Sequence, residues 1–505
     1  MKTTDDLFQL VHSMSMQEKR YFKIAASFHS RKGGSNSIRL FDAIEKQKQY
    51  DEEKIRAAFR GETFLRHLPS EKNYLYALIR KILRQYHAQD NTDIAIKELL
   101  IDAEVLHAKS LYAHCRKILK KAKQLAYRYE RFAFIPEIVR MESRLYDMEN
   151  LRAVYAEELA VLRKIERINR YRTLSNRVAS LVATAHFQRS RKEVAEFEKV
   201  MRHPLMRDET RADSYTAKIY FFYIRGVYYE MKGDLRKSYL TRRRFVKISE
   251  SYPEQLEIHT KNYLSALNNL AISELDLRRY DDAMRTVARM KAVPSAFRAG
   301  RAEDIRITSF LFSAIMELNI YIRTGEFEKG LPAAKEAERQ LKASEGRILR
   351  DAELRTEIHN SIKYIYFGAG DLKKSLFWSN RVIQESPPGI RQDIQAMARI
   401  FNLVLHYELG NTDLLEHIIR STYRFLLRSQ RLFRVETILL NYLRRSAWLS
   451  TRKEVIASFR ELHKELLPLR KDRYESKAFE EFDILSWLES KIEGRTFGAV
   501  VRGKV

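Results

Sequence analysis

The chain has 505 residues, of which 45% are apolar and 31% are charged, and this balance excludes an intrinsically disordered protein. Lys and Arg number 93 against 66 Asp and Glu, a net charge of +27 that favours an acidic or nucleic-acid partner. With only 16 Gly and 9 Pro, the composition predicts long helices joined by short turns and few or no strands.

Cys115 is the only cysteine, which excludes an intrachain disulfide, and no Cys/His cluster has the spacing of zinc ligands. The N-terminal segment lacks the continuous apolar core of a signal peptide, and no run of 18 apolar residues occurs in the chain. We therefore expect a cytoplasmic protein with no membrane span, no metal and no other cofactor.

Residues 1–95 form the first predicted segment, an N-terminal helical cap or small helical domain. Ser15 and Glu18 have the spacing of a capping box, and Ser70 begins a basic amphipathic helix. One interpretation is a cap for the helices that follow. The other is a DNA-binding module of the helix-turn-helix type, with residues 70–87 as its recognition helix.

Basic side chains recur at helical spacing further along the chain. Arg163, Arg167 and Arg170 fall at i, i+4 and i+7 on one helix face, and residues 1–250 hold 51 Lys and Arg against 32 Asp and Glu. Such a face is either solvated or in contact with nucleic-acid phosphates. The candidate basic patch consists of Arg163, Arg167, Arg170, Arg189, Arg191, Lys192, Arg242, Arg243 and Arg244.

One pattern repeats between residues 215 and 430. At Gly233, Gly325 and Gly370, a tyrosine stands four residues before the glycine and an acidic residue directly after it. Two weaker copies have Arg278 and Gly410 at the glycine position. A small residue stands five positions later in four of the copies, as Ser238, Ala283, Gly330 and Ser375.

The pattern predicts a helical hairpin in each copy. Glycine ends the first helix by adopting a left-handed backbone conformation, and Asp, Glu or Asn then caps the second helix. The small residue allows the two helices to approach closely. The pattern resembles the tetratricopeptide repeat, with Gly226, Tyr229, Gly233 and Asp234 at its small, aromatic and turn positions.

The spacing departs from that family. The five turns are separated by 45, 47, 45 and 40 residues, whereas a tetratricopeptide unit has about 34. HEAT and armadillo units have the longer period but lack the Gly-acid-aromatic turn. We expect an all-α, right-handed α-solenoid of stacked antiparallel hairpins, about nine between residues 96 and 490 and clearest within 215–430. A C-terminal tail follows at 491–505, and we expect its last ten residues to fray.

The resemblance implies a concave groove lined by the first helix of each hairpin, which could hold a peptide. Asparagine can pair with both polar groups of a peptide backbone, and tyrosine supplies rigid apolar area with a polar end. Carrying the family's groove positions onto this chain gives Tyr220, Tyr223, Asn268, Ile272, Asn319, Arg323, Asn360, Tyr364 and Tyr407.

No catalytic motif occurs: the chain has no phosphate-binding glycine loop, no HExxH and no GxSxG. We therefore expect a protein that is not an enzyme, a scaffold or sensor that binds a protein or peptide partner in the groove. The alternative is a nucleic-acid-associated regulator, which would use the basic residues 1–250 for nucleic acid and the later repeats for an effector. The sequence does not indicate an oligomeric state.

Overall fold

The chain is described here by a computed structural model. The structure describes residues 3–28, 36–88, 91–145, 148–185, 191–297, 303–343, 352–385, 391–429, 431–446, 451–472 and 475–505. Within these ranges the regular elements are helices and none is a strand, which confirms the all-α prediction. The helices pack against their neighbours along the chain, as a helical-repeat fold requires.

The chain divides into two compact units, Met1–Ile165 and Glu166–Val505, and the division falls inside one long helix. The first unit contains helices α1 (Thr3–Ser13), α2 (Met16–Phe28), α3 (Asn36–Glu45), α4 (Glu52–Ala58), α5 (Leu68–Ala88), α6 (Thr92–Ala108), α7 (Tyr112–Arg128), α8 (Ile135–Glu142) and the start of α9 (Met148–Ala185). The predicted capping box is present before α2, because the Glu18 amide donates to Ser15 Oγ and the Ser15 amide donates to Glu18 Oε2.

The second unit holds the repeats. After the end of α9, its helices are α10 (Arg191–Met201), α11 (Tyr215–Met231), α12 (Leu235–Glu250), α13 (Pro253–Ile258), α14 (Thr260–Asp276), α15 (Tyr280–Ala296), α16 (Glu303–Thr324), α17 (Phe327–Ala343), α18 (Ala352–Gly368), α19 (Leu372–Glu385), α20 (Gln392–Glu408), α21 (Thr412–Arg428), α22 (Arg434–Ser446), α23 (Arg452–Leu466), α24 (Ser476–Glu481), α25 (Ile484–Glu493) and α26 (Phe497–Arg502).

The five predicted turns share one backbone conformation. Gly233, Arg278, Gly325, Gly370 and Gly410 all have positive φ, between 56° and 85°. In each turn the next residue donates its amide to the carbonyl five positions back, at 2.8–3.0 Å, which is the hydrogen bond of a Schellman motif. The interpretation of these positions as equivalent helix ends is therefore confirmed, including the one that lacks glycine.

The small residue that follows the turns at Gly233, Gly325 and Gly370 lies where two helices meet. Ser238 Oγ donates to the Gly226 carbonyl at 3.0 Å, and Ser375 Oγ donates to the Lys363 carbonyl at 2.9 Å. In both pairs the acceptor lies twelve residues back, on the first helix. A side chain at Gly330 would stand 2.7 Å from a methyl carbon of Ile365.

Cys115 occupies the same position in the first unit. Ser110, five residues earlier, has a positive φ of 61°, and the buried thiol of Cys115 contacts the carbonyl twelve residues back, that of Ala103, at 3.3 Å. Burial raises the pKa of this thiol, which favours its neutral form. Cys115 is therefore a packing residue of a repeat-like pair, α6 and α7.

The C-terminal residues were expected to fray, but residues 497–502 form α26 and pack into the second unit. The Arg502 guanidinium donates to the Gly325 carbonyl at 2.7 Å, and the Phe497 ring stacks on Phe327 with centroids 5.5 Å apart. Val500 and Val501 are buried. This short apolar segment is ordered because it covers the turn between α16 and α17.

Helix α16 is long and apolar enough to cross a membrane by length and composition alone, with a mean hydropathy of 1.4 over its most apolar window. In this protein 56% of that window is buried, and α16 packs against α14, α15, α17 and α18. A core helix of a folded domain has the same composition, so the helix gives only weak support to a membrane span.

Candidate functional site

Five of the nine predicted groove residues border one cavity of about 230 Å³, here called the polar cavity. Ile272 comes from α14, Asn319 and Arg323 come from α16, and Asn360 and Tyr364 come from α18. These are the first helices of three successive repeats. The turn spacing therefore places equivalent helix faces side by side, as a repeat architecture does.

Asn360 is held in the polar cavity by a buried lysine. The ammonium of Lys363 donates to Asn360 Oδ1 at 2.7 Å and lies 4.2–4.3 Å from the ring centres of Tyr364 and Phe401. Lys363 is fully buried, and burial lowers its pKa to about 7. With its oxygen accepting from Lys363, the Asn360 amide nitrogen is left as the donor for a ligand carbonyl.

The far wall of the polar cavity comes from the C-terminal part of the chain. Tyr364 donates its hydroxyl proton to the backbone carbonyl of Glu481, a residue that follows more than a hundred positions later. Burial raises the pKa of Tyr364 well above its usual value, so the hydroxyl stays protonated and keeps this bond. The segment around α24 therefore closes one end of the cavity.

The charged groups of the polar cavity are partly paired with each other. Arg391 forms ion pairs with Glu357 and, at 2.8 Å, with Asp393. Arg323 is exposed, and within the described residues it has no ion-pair partner. The guanidinium of Arg323 is thus the cation most accessible to a ligand in this cavity.

A second cavity, of about 240 Å³, lies earlier in the same unit and is here called the apolar cavity. Tyr220 and Tyr223, both predicted as groove residues, line it together with Phe222, Val227 and Phe245. Helix α14 contributes its polar positions Asn262, Ser265 and Asn269 to the same wall. The chemistry of this cavity suits an apolar side chain with a polar group at its edge.

The two remaining predicted groove residues border neither cavity. Asn268 is partly exposed on α14. Tyr407 on α20 contacts Phe459 and Trp487, with ring centres 6.1 and 6.4 Å away, and belongs to the apolar core of the last repeats. A core contact explains Tyr407 without a ligand.

The candidate basic patch includes one buried member, Arg242, which is 8% exposed. Its guanidinium donates to the Asn269 carbonyl at 3.0 Å and to Ser273 Oγ at 2.8 Å, and pairs with Glu230. These interactions join α11, α12 and α14. Because its donors are used inside the protein, Arg242 is not available to contact phosphate.

The other described members of the patch are either paired with carboxylates or exposed. Three of them pair with carboxylates, Arg167 with Asp213 at 2.8 Å, Arg170 with Glu166 at 2.6 Å and Arg244 with Glu209 at 2.8 Å. Arg163 and Arg243 are exposed. Arg189 and the side chains of Arg191 and Lys192 lie outside the described residues. The described members therefore supply few unpaired cations.

Sequence reasoning missed two site residues, Lys363 and Glu481, and it missed the burial of Arg242, which it had placed in the basic patch. Lys363 and Arg242 are of residue types that usually lie at the surface, and nothing in their local pattern indicates burial. Glu481 belongs to a segment without the repeat pattern. In the described part of the chain, no group of three or more His, Cys, Asp or Glu residues could hold a metal ion.

Comparison with known proteins adds no functional assignment. No protein-family model matches the chain, and no curated protein matches it significantly.

Proposed function

We propose that this protein is a tetratricopeptide-like solenoid of right-handed, antiparallel hairpins that binds a protein or peptide segment in its groove, as a scaffold or sensor without enzymatic activity. The observation that carries the proposal is the polar cavity. Residues chosen only by their repeat position, Asn319, Arg323 and Asn360 among them, border the same space.

The two cavities are adjacent on α14. The apolar cavity reaches Asn269 and the polar cavity begins at Ile272, three residues later, which is about 4.5 Å along a helix. An extended peptide that crosses α14 would therefore meet both. An apolar side chain would fill the space beside Tyr223, and Asn319 and Asn360 would bind the backbone of the next residues.

Removing both asparagine amides should weaken peptide binding. Peptides are first selected on the immobilised full-length protein from a random twelve-residue library, and their affinity is then measured by fluorescence anisotropy. We expect Asn319→Ala combined with Asn360→Ala to reduce affinity about tenfold or more, because the variant cannot form two buried hydrogen bonds to the peptide backbone.

Asn268→Ala is the matched control, since this asparagine lies on a groove helix but borders neither cavity. Its affinity should equal that of the unaltered protein. Failure to select any peptide, or equal affinity in the double variant and the control, would contradict the proposed groove.

A second candidate function, nucleic-acid binding by the first unit, is favoured by the exposed face of α5. Its exposed residues between 73 and 85 include Tyr74, Arg80, Lys81 and Arg84 and no acidic side chain. A cationic helix face with an exposed aromatic ring suits contact with nucleic-acid phosphates.

Replacing these three cations should lower nucleic-acid affinity in a salt-dependent way. The affinity of the full-length protein for a duplex oligonucleotide is measured at several salt concentrations. We expect the Arg80→Gln, Lys81→Gln, Arg84→Gln variant to show a shallower dependence of log K on log salt, by about one for each phosphate that the variant no longer neutralises. An unchanged slope, or no binding by the unaltered protein at low salt, would remove this candidate.

A further inference from the structure

A third cavity, of about 960 Å³, lies between α17, α18 and α19. The residues that border it are different from those of the polar and apolar cavities. On α18 it is bordered by Arg355 and His359, whereas the polar cavity uses Glu357, Asn360 and Tyr364 of the same helix. We call it the α17–α19 cavity. Its size is at the upper end of the range for small-molecule sites.

Aromatic rings form one wall of the α17–α19 cavity. The Phe377 ring is 55% exposed, and it meets the Trp378 ring edge-on with centroids 5.4 Å apart. Trp378 donates its indole proton to Glu338 Oε1 at 2.9 Å, which fixes the ring. A fixed indole beside an accessible phenyl ring suits stacking of a planar aromatic ligand.

Cations surround these rings. Arg381 lies 5.4 Å from the Trp378 ring centre and pairs with Glu385. Lys342 and Lys374 also border the cavity, are exposed, and have no ion-pair partner within the described residues. Arg355 is the fourth basic side chain that borders the cavity, and only two acidic side chains, Glu338 and Glu385, border it. The residues that line the cavity therefore carry a net positive charge.

The imidazole of His359 adds a neutral polar group. The imidazole ring is buried, and its centre lies 5.0 Å from the centre of the Trp378 ring. Burial, together with the charges of Arg381 and Arg355, lowers the pKa of His359 to about 3. A neutral imidazole has one donor and one acceptor nitrogen and can pair with the edge of a heterocyclic ring.

We propose that the α17–α19 cavity binds a small molecule that joins a planar aromatic ring to an anionic group, the chemistry of a nucleoside monophosphate. The ring would stack on Phe377, and Lys374 with Lys342 or Arg355 would bind the anion. This site is independent of the peptide groove, so either proposal can fail alone.

The test is isothermal titration calorimetry of the full-length protein with adenosine 5′-monophosphate. Adenosine supplies the ring without the anion, inorganic phosphate supplies the anion without the ring, and indole-3-acetate supplies a ring with a carboxylate in place of the phosphate. We expect the monophosphate or the acetate to bind at least tenfold more tightly than adenosine and phosphate. Which of the two binds more tightly identifies the anion.

Lys374→Gln should weaken binding of the preferred probe about tenfold, because it removes one charge-assisted hydrogen bond at an exposed position where folding is not at risk. Arg339→Gln on α17 is the matched control, since Arg339 is exposed, pairs with Glu336 and does not border the cavity. No heat of binding at millimolar probe, binding of both the monophosphate and the acetate that is no tighter than that of adenosine, or equal binding by the two variants would overturn the proposal.

Discussion

Gly325→Ala should lower the free energy of unfolding by about 3–5 kcal/mol. Gly325 has a φ of 70°, which costs any residue with a Cβ about 1–2 kcal/mol. The added methyl carbon would also stand 2.8 Å from the Arg502 amide nitrogen and 2.9 Å from the Gly498 carbonyl oxygen. Both atoms belong to the backbone of α26, so they move only if that helix moves.

Gly370→Ala is the matched control for this prediction. Gly370 ends an equivalent helix with a φ of 85°, but a Cβ there meets no atom within 4 Å. The free energy of unfolding of Gly370→Ala should therefore fall only by the cost of the positive φ, about 1–2 kcal/mol. Urea unfolding followed by circular dichroism compares the two, and hydrogen exchange of residues 497–502 should accelerate in Gly325→Ala alone. Equal losses and equal exchange would show that α26 does not pack against this turn.

Arg242→Ala should lower the free energy of unfolding by about 3–5 kcal/mol. The substitution removes the ion pair with Glu230 and leaves the Asn269 carbonyl and Ser273 Oγ without their common donor. It also removes the side chain that packs over Gly226, 3.3 Å from the position of a Cβ there. Thermal unfolding measured by circular dichroism should show a lower midpoint, with the destabilisation centred on the repeats that contain α11, α12 and α14.

Arg243→Ala is its control, because Arg243 is the next residue along the chain, carries the same charge and is exposed. Its effect should stay within about 0.5 kcal/mol. Similar destabilisation in the two variants would mean that Arg242 is not held in the interior. Its guanidinium would then be available to contact phosphate, as the candidate basic patch requires.

The turns were the most predictable part of the fold, and they also served to predict part of the site. Gly233 and Gly370 each precede an aspartate whose side chain accepts from a backbone amide three residues later, so all the residues needed for the turn are within one short segment. Arg278 stands at the glycine position of its turn and adopts the same backbone conformation, with a φ of 56°. Once the turns were aligned, residues at equivalent positions of the first helices, such as Asn319 and Asn360, were expected on one face, and they border one cavity.

Burial of charged side chains could not be predicted in this way. Arg242 and Arg243 are neighbours in a run of three arginines, yet one is buried and the other exposed, because only Arg242 packs against Gly226 of α11. Lys363 has the local pattern of a surface lysine, but it lies between α18 and the ring of Phe401 on α20. Which side of a helix is covered depends on helices that come much later in the chain.

The residue pattern alone was therefore enough to predict the helical class, the positions of the repeat turns and the residues that face the same way in successive repeats. These features depend on backbone conformations and spacings within about a dozen residues. Packing between distant segments explains why α26 covers Gly325, why Glu481 closes the polar cavity and why aromatic and cationic side chains line the α17–α19 cavity. Such interactions join residues as far apart as 325 and 502, and their stability comes from burying surfaces that no local pattern specifies.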